Sequence, residues 1–144
     1  MPTRIALLGS GIFATSFYLP VLLKSSEIEI GALWSRSKVS ADKIKALATD
    51  GRQNPVSYHG PDGLEELLQC DDIEAVIMAL PISAQPELVV RCLRAGKHVL
   101  SEKPVAKDVG TARKLIAAYE QQFKPKGLVW RVAESKLRSE VDDC

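Results

Sequence analysis

The chain has 144 residues, 46% hydrophobic and 26% charged, a size and balance that suit one globular domain with a sound core and exclude a disordered chain. A formal net charge of +1 and 6% aromatic residues provide no field for steering nucleic acid, so neither DNA nor RNA is an expected partner. No run approaches the roughly 20 apolar residues that span a bilayer, and Gly9, Ser10 and Gly11 interrupt the first apolar stretch before it forms a secretory leader, so the expectation is a soluble, cytoplasmic protein with no membrane partner.

Apolar runs and helical periods alternate along the chain, the rhythm of βαβ units feeding a parallel sheet. A first strand is predicted over Arg4 to Leu8, followed by a helix from near Ile12 that carries Phe13, Phe17 and Val21 inward. Pro20 either bends this helix or starts a new turn. The second strand, Ile28 to Trp34, hands over at Ser35-Arg36-Ser37 to a helix across Val39, Ile44 and Leu47 that stops near Gly51, with Ser37 or Ser40 as its cap. A short strand around Val56 to Tyr58 precedes a helix that Pro61 starts, whose Leu64, Leu67 and Leu68 form an i, i+3, i+4 stripe. The fourth strand, Glu74 to Leu80, ends at Pro81, and a helix near Gln85 to Arg94 then buries Leu88, Val89, Cys92 and Leu93 before Gly96 closes it.

The fifth strand is His98 to Ser101. Asp108 caps the next helix, whose Ala112, Leu115, Ile116, Tyr119 and Phe123 face the sheet until Lys124-Pro125-Lys126-Gly127 ends it. The sixth strand is Leu128 to Ala133. Together these predict an α/β fold: a doubly wound, mostly parallel six-stranded sheet in the order 3-2-1-4-5-6 with helices on both faces and a ligand crevice at the carboxyl ends of the strands. The domain covers residues 1–134, and 135–144 is a charged tail. Cys70, Cys92 and Cys144 are odd in number and lack C-x-x-C spacing, which argues against a disulfide framework and a zinc site; Cys92 is expected on a buried helix face. His59 and His98 lack the i, i+4 pairing of a metal-binding helix, so no metal is expected.

The first turn carries the most specific chemistry. Gly9-Ser10-Gly11-Ile12-Phe13-Ala14 joins an apolar strand to a helix as G-x-G-x-x-A, the pattern that binds a dinucleotide pyrophosphate. Gly9 permits the tight turn, Gly11 lets backbone N–H groups approach the phosphates, and Ala14 keeps the helix close to the strand. The helix N-terminus then meets the anion with unpaired N–H groups and a partial positive charge. At the end of the second strand an NAD-selective protein offers a carboxylate to the adenosine ribose, whereas this chain has Trp34-Ser35-Arg36-Ser37 and no carboxylate until Asp42. Arg36 either stacks on adenine or clamps a 2′-phosphate, while Ser35, Ser37 and Lys38 supply donors, so NADP is preferred and NAD remains possible.

Leu80 and Pro81 end the fourth strand and place the loop to Gln85 beside the pyrophosphate and nicotinamide ribose. Glu102-Lys103-Pro104 ends the fifth strand on the same edge. An ammonium group held there by Lys103 hydrogen-bonds a substrate hydroxyl or carbonyl oxygen and stabilises charge as hydride moves, which makes Lys103 the candidate catalytic residue. Glu102 orients the cofactor or pairs with the lysine.

These motifs are read together with Ala79-Leu80-Pro81, Ala95 to Pro104 and Val132-Ala133-Glu134. In order and spacing over about residues 3 to 134 they resemble the glucose-fructose oxidoreductase, inositol dehydrogenase and rhizopine-catabolism (Gfo/Idh/MocA) family. The resemblance implies a nicotinamide-dependent oxidoreductase acting on sugars, inositols, dihydrodiols or related polyols and carbonyls. It places the family's nucleotide-binding glycines on Gly9 and Gly11 and its Glu-Lys-Pro lysine on Lys103. Three departures stand out. Gln85 occupies a position where family members often carry histidine. Ser135, Lys136 and Leu137 replace an Asn, an aromatic residue and Arg. The family's second domain, which holds the substrate and supplies a further catalytic Asp or His, is absent.

The chain is therefore read as a truncated, catalytically incomplete nucleotide-binding half whose substrate pocket would come from that domain. Apolar surface exposed near the sixth strand and Trp130 is expected to favour self-association into a homo-oligomer. The alternative from another class is a non-catalytic NADP-binding sensor or interaction module. A short-chain-type dehydrogenase is disfavoured because Tyr18, Tyr58 and Tyr119 are followed four residues on by Leu22, Asp62 and Phe123 instead of lysine. A methyltransferase gives no reason for Glu102-Lys103-Pro104.

Overall fold

A computed structural model of the protein describes residues 2–12, 14–50 and 53–133. The expectations placed on Phe13, Gly51, Glu134, the tail and Cys144 fall outside these described residues.

Six strands, β1 (Thr3–Leu8), β2 (Ile28–Ser35), β3 (Val56–His59), β4 (Ala75–Met78), β5 (His98–Glu102) and β6 (Trp130–Ala133), form one sheet in the order β3-β2-β1-β4-β5-β6. Every neighbouring pair is parallel. The order reverses direction between β1 and β4, and a crevice opens at that switch point, outside the carboxyl ends of the strands.

Successive side chains of a strand face opposite sides of the sheet, and both sides are buried. Ile5 and Leu7 of β1 pack with Ile30, Leu33 and Ile77 beneath the helical segments α1 (Leu19–Lys24) and α2 (Lys38–Ala48). Ala6 and Leu8 pack on the other side with Val76, Met78 and Val99 beneath α3 (Gly60–Leu68), α4 (Gln85–Arg94) and α5 (Val109–Ala118). The stripes Leu64, Leu67, Leu68 and Leu88, Val89, Cys92, Leu93 are all buried, as their spacing predicts. Ser37 and not Ser40 caps α2, its hydroxyl accepting from the Ser40 N–H at 3.2 Å. Asp108 caps α5 through the Thr111 N–H at 2.7 Å, and these contacts hold its carboxyl below the usual carboxylate range. Gly96 and Gly127 end their helices with φ of +81° and +85°.

The structure corrects several sequence expectations. Pro20 does interrupt the first helix: a wide π turn, Ala14–Tyr18, precedes α1, because proline has no N–H to continue the i to i−4 ladder. The wide turn re-phases the helix, so Tyr18, Leu19 and Leu22 are buried while Val21 is 60% exposed. In α2 the buried stripe runs through small side chains, Ala41 and Ala48 around Ile44, and leaves Val39 and Leu47 outside. Along α5, Leu115 is buried and Ala112 and Tyr119 are half-buried, whereas Ile116 faces out; Phe123, in the π turn Tyr119–Phe123 beyond it, is buried. β4 pairs only over Ala75–Met78, since the chain leaves the ladder for Leu80 and Pro81. β6 likewise starts at Trp130 and not Leu128. The Trp130 ring is half-buried, its edge on Tyr119 and its indole N–H donating to Ser101 at 2.9 Å, so the exposed apolar side chains in this region are Val129 and Ile116.

Candidate functional site

The glycine turn sits at the switch point because β1 and its two neighbours converge there. The Gly9 N–H donates to the Trp34 carbonyl at 2.8 Å and the Ala79 N–H to the Leu8 carbonyl at 2.9 Å, which stitches the end of β1 to the ends of β2 and β4. Gly9 has φ +116°, and a Cβ placed on it would lie 2.3 Å from the Ala79 carbonyl oxygen, so both conformation and space require glycine. Gly11 differs in kind. A Cβ there would meet nothing within 4 Å, so the fold itself does not demand glycine, and the backbone at this point is open to an approaching group. The Gly11 carbonyl accepts from the Thr15 N–H at 3.0 Å, which opens the helix directly behind that open backbone.

A cleft of about 330 Å³ runs from this turn across the end of β2 to the end of β4, bringing together Gly9, Ser10, Gly11, Ser35, Arg36, Ser37, Leu80 and Pro81 from the sequence-predicted set, with Ser40 added. The Ser10 and Ser35 hydroxyls bond each other at 2.8 Å and so fix the glycine turn to the β2 rim. A second hollow of about 270 Å³ continues past Arg36 and is walled by Trp34, Leu80, Pro81, Ala84 and Leu88, a mostly apolar slot that Arg36 also lines. Arg36 therefore lines both spaces. Among the described residues it has no ion-pair partner, whereas Lys38 is taken up by Asp42 at 2.9 Å. That lysine holds the Asp42 carboxyl below the ordinary range. Ile12 is 83% exposed and lines an adjoining groove that shares Ser10, Gly11 and Ser40 with the cleft and runs on beside Lys43 and Leu47.

The other predicted residues form a second cluster along the rim. Gln85 is buried, and its side-chain amide donates to the Leu80 carbonyl at 2.9 Å while its carbonyl accepts from the Glu102 N–H at 2.9 Å. Glu102 accepts a hydrogen bond from the Tyr18 hydroxyl. Lys103 is exposed, has no hydrogen-bond or ion-pair partner among the described residues, and precedes Pro104 through a cis peptide bond. Tyr18 is the member that sequence reasoning missed as a site residue. It lies off the predicted inward stripe of Phe13, Phe17 and Val21, and nothing local signals that its hydroxyl reaches the end of β5.

Comparison with known proteins agrees with this fold. The model of the oxidoreductase family GFO_IDH_MocA, NAD-binding Rossmann fold, matches residues 3–125. The chain belongs to this family. It is 40% identical over 135 residues to the dehydrogenase FPY6 of Fusarium mangiferae, covering 91% of this chain and 38% of that protein. It is 34% identical over 121 residues to a dTDP-3,4-didehydro-2,6-dideoxy-alpha-D-glucose 3-reductase of Actinomadura kijaniata, covering 84% of this chain and 34% of that one. The crystal structure of the 3-ketoreductase KijD10 of Actinomadura kijaniata, in complex with NADP and TDP-benzene, superposes with a TM-score of 0.78 at 29% identity, covering 99% of this chain and 42% of KijD10. The chain thus spans less than half the length of these Gfo/Idh/MocA relatives and matches their nucleotide-binding Rossmann domain.

Among the described residues no group of three or more His, Cys, Asp and Glu side chains is placed to hold a metal ion, and no helix is long and apolar enough to cross a membrane.

Proposed function

We propose that this chain binds NADP(H) across the switch-point cleft, as the nucleotide-binding part of an oxidoreductase that exchanges hydride with a sugar, polyol or dihydrodiol. The observation that carries the reading is the contrast between the two glycines: Gly9 is fixed by the fold, while Gly11 leaves an open backbone at a helix N-terminus, where a diphosphate is favoured. Arg36, which lines both the cleft and the apolar slot and has no ion-pair partner among the described residues, fits a 2′-phosphate next to an adenine ring. Ser35 and Ser37 add hydroxyls, and no carboxylate stands among the residues lining this space to repel the phosphate.

The cofactor, when bound, supplies hydride chemistry. The chain's own part is to hold it and to present Lys103, whose ammonium group, unpaired among the described residues, is suited to hydrogen-bond a substrate oxygen and stabilise charge developing on it. We also place the protein in the cytoplasm, where free thiols such as Cys70 and Cys92 persist.

Calorimetric titration with NADPH and NADH tests the reading. Wild type is expected to prefer NADPH. Arg36→Asp should weaken NADPH by about 1.5 to 3 kcal/mol, the worth of a hydrogen bond to a charged group, and leave NADH nearly unchanged. Gly11→Ala should keep wild-type stability while losing affinity for both. NADPH affinity unchanged in both variants removes the reading.

A further inference from the structure

We propose that Tyr18 is a positioning residue for the nicotinamide end of the cofactor: its hydroxyl holds the Glu102 carboxylate at the β5 rim and so keeps it from closing on Lys103. The inference rests on the cofactor reading above and extends it to a helix residue that lines neither space of the adenosine half.

Three observations carry it. Tyr18 is 7% exposed, so its hydroxyl sits at the margin of the core, and it donates to a carboxylate, a stronger hydrogen bond than one between neutral groups. Glu102 is held twice, through its side chain by Tyr18 and through its N–H by the buried Gln85. Lys103, the next residue in the chain, is exposed and unpaired among the described residues. A carboxylate and an ammonium group on adjacent residues attract each other by about 1 kcal/mol at 4 Å even in water. Here the carboxylate bonds the phenol instead. The arrangement separates two roles at one edge: Glu102 retains lone pairs for hydroxyl groups of a ribose, and Lys103 retains its protons for a substrate oxygen.

The test compares two probes on the same chain. NADPH carries the nicotinamide ribose, and 2′,5′-ADP carries the adenosine and 2′-phosphate without it. Tyr18→Phe keeps the ring in the core and removes only the hydroxyl. We expect its Kd for NADPH to rise about fivefold to tenfold, with 2′,5′-ADP changed less than twofold and the melting temperature near wild type. The fluorescence of bound NADPH should shift, because the environment of the nicotinamide changes. Adding Glu102→Ala to Tyr18→Phe should cost no more than Glu102→Ala alone, since the hydroxyl acts through that carboxylate. Glu102→Gln, which retains an acceptor for the phenol, should lose less NADPH affinity than Glu102→Ala.

Equal weakening of both probes by Tyr18→Phe means the tyrosine only props the fold, and an unchanged NADPH affinity means the contact does nothing for the ligand; either result overturns the inference while leaving the cofactor reading intact. Losses that add in the double variant overturn it too. A wild-type chain that binds neither probe overturns the cofactor reading, and this inference with it.

Discussion

Gln85 gives the sharpest test of how the rim is held. Its side chain is 1% exposed and spends one donor on the Leu80 carbonyl and its acceptor on the Glu102 N–H, both at 2.9 Å. Gln85→Met conserves length and volume while removing both partners at once. A buried polar group left without a partner costs about 1–3 kcal/mol; the two backbone groups here are only part-buried, so the lower half of that range applies to each and the sum is about 2–4 kcal/mol. Urea unfolding at pH 7, followed by circular dichroism, should show that loss as a lower midpoint with an unchanged slope. NADPH binding should weaken too, because the ends of β4 and β5 are no longer tied. Gln85→Glu supplies an internal check. An ionised carboxylate accepts from Glu102 but cannot donate to Leu80, whereas the protonated acid does both. Burial and that donor role raise the new carboxyl's pKa in the folded state, so its contribution is full below the unfolded value of about 4.3 and fades as pH rises through the folded one. The variant should therefore approach wild type on acidification. A Gln85→Met stability within about 0.5 kcal/mol of wild type would refute the argument, because two lost bonds to part-buried groups cannot be that cheap.

Other expectations follow from single contacts. Gly9→Ala should destabilise by about 3 kcal/mol or more, through a Cβ 2.3 Å from the Ala79 carbonyl oxygen and an unfavourable φ, and a chain with normal unfolding would show that the turn can relax. Burial pushes the Cys92 thiol up to about 12, so the unfolded chain ionises first; stability is intact below pH 9 and lost as pH rises from there toward 12, at a limiting slope of about 1.4 kcal/mol per pH unit. Cys92→Ala should flatten the slope measured between pH 9 and 10.5, and an unchanged slope would assign the loss elsewhere. Thiol reagents should modify half-buried Cys70 before Cys92 in the native chain, read by peptide mass mapping. Ile116 and Val129, 45% and 44% exposed, should promote self-association that Ile116→Lys reduces in sedimentation velocity.

What was legible in the sequence was whatever local periodicity encodes. The sheet order followed from six apolar runs with intervening helices, and the α4 stripe could be read to the residue because Leu88, Val89, Cys92 and Leu93 repeat at helical spacing between a proline and a glycine. The glycine turn and the serine-arginine rim were legible for a similar reason: each is a short contiguous string at the end of a strand, and topology alone brings the strings together. Errors arose where packing depends on partners far along the chain. Val21, Val39 and Leu47 are apolar and well spaced, but the π turn and the small side chains of α2 move the contact stripe away from them.

The same limit hid the rim network. Gln85 lies in a string that could be read as touching the ligand, yet both polar ends of its side chain are occupied by backbone groups 5 residues before and 17 residues after it. Tyr18 and Glu102 are 84 residues apart and meet only because the π turn that follows β1 packs Tyr18 into the core on one face of the sheet. No spacing rule connects them, whereas closing the sheet does. The residues that define the ligand's place were therefore visible as motifs, while those that hold them there became visible only once the strands were assembled.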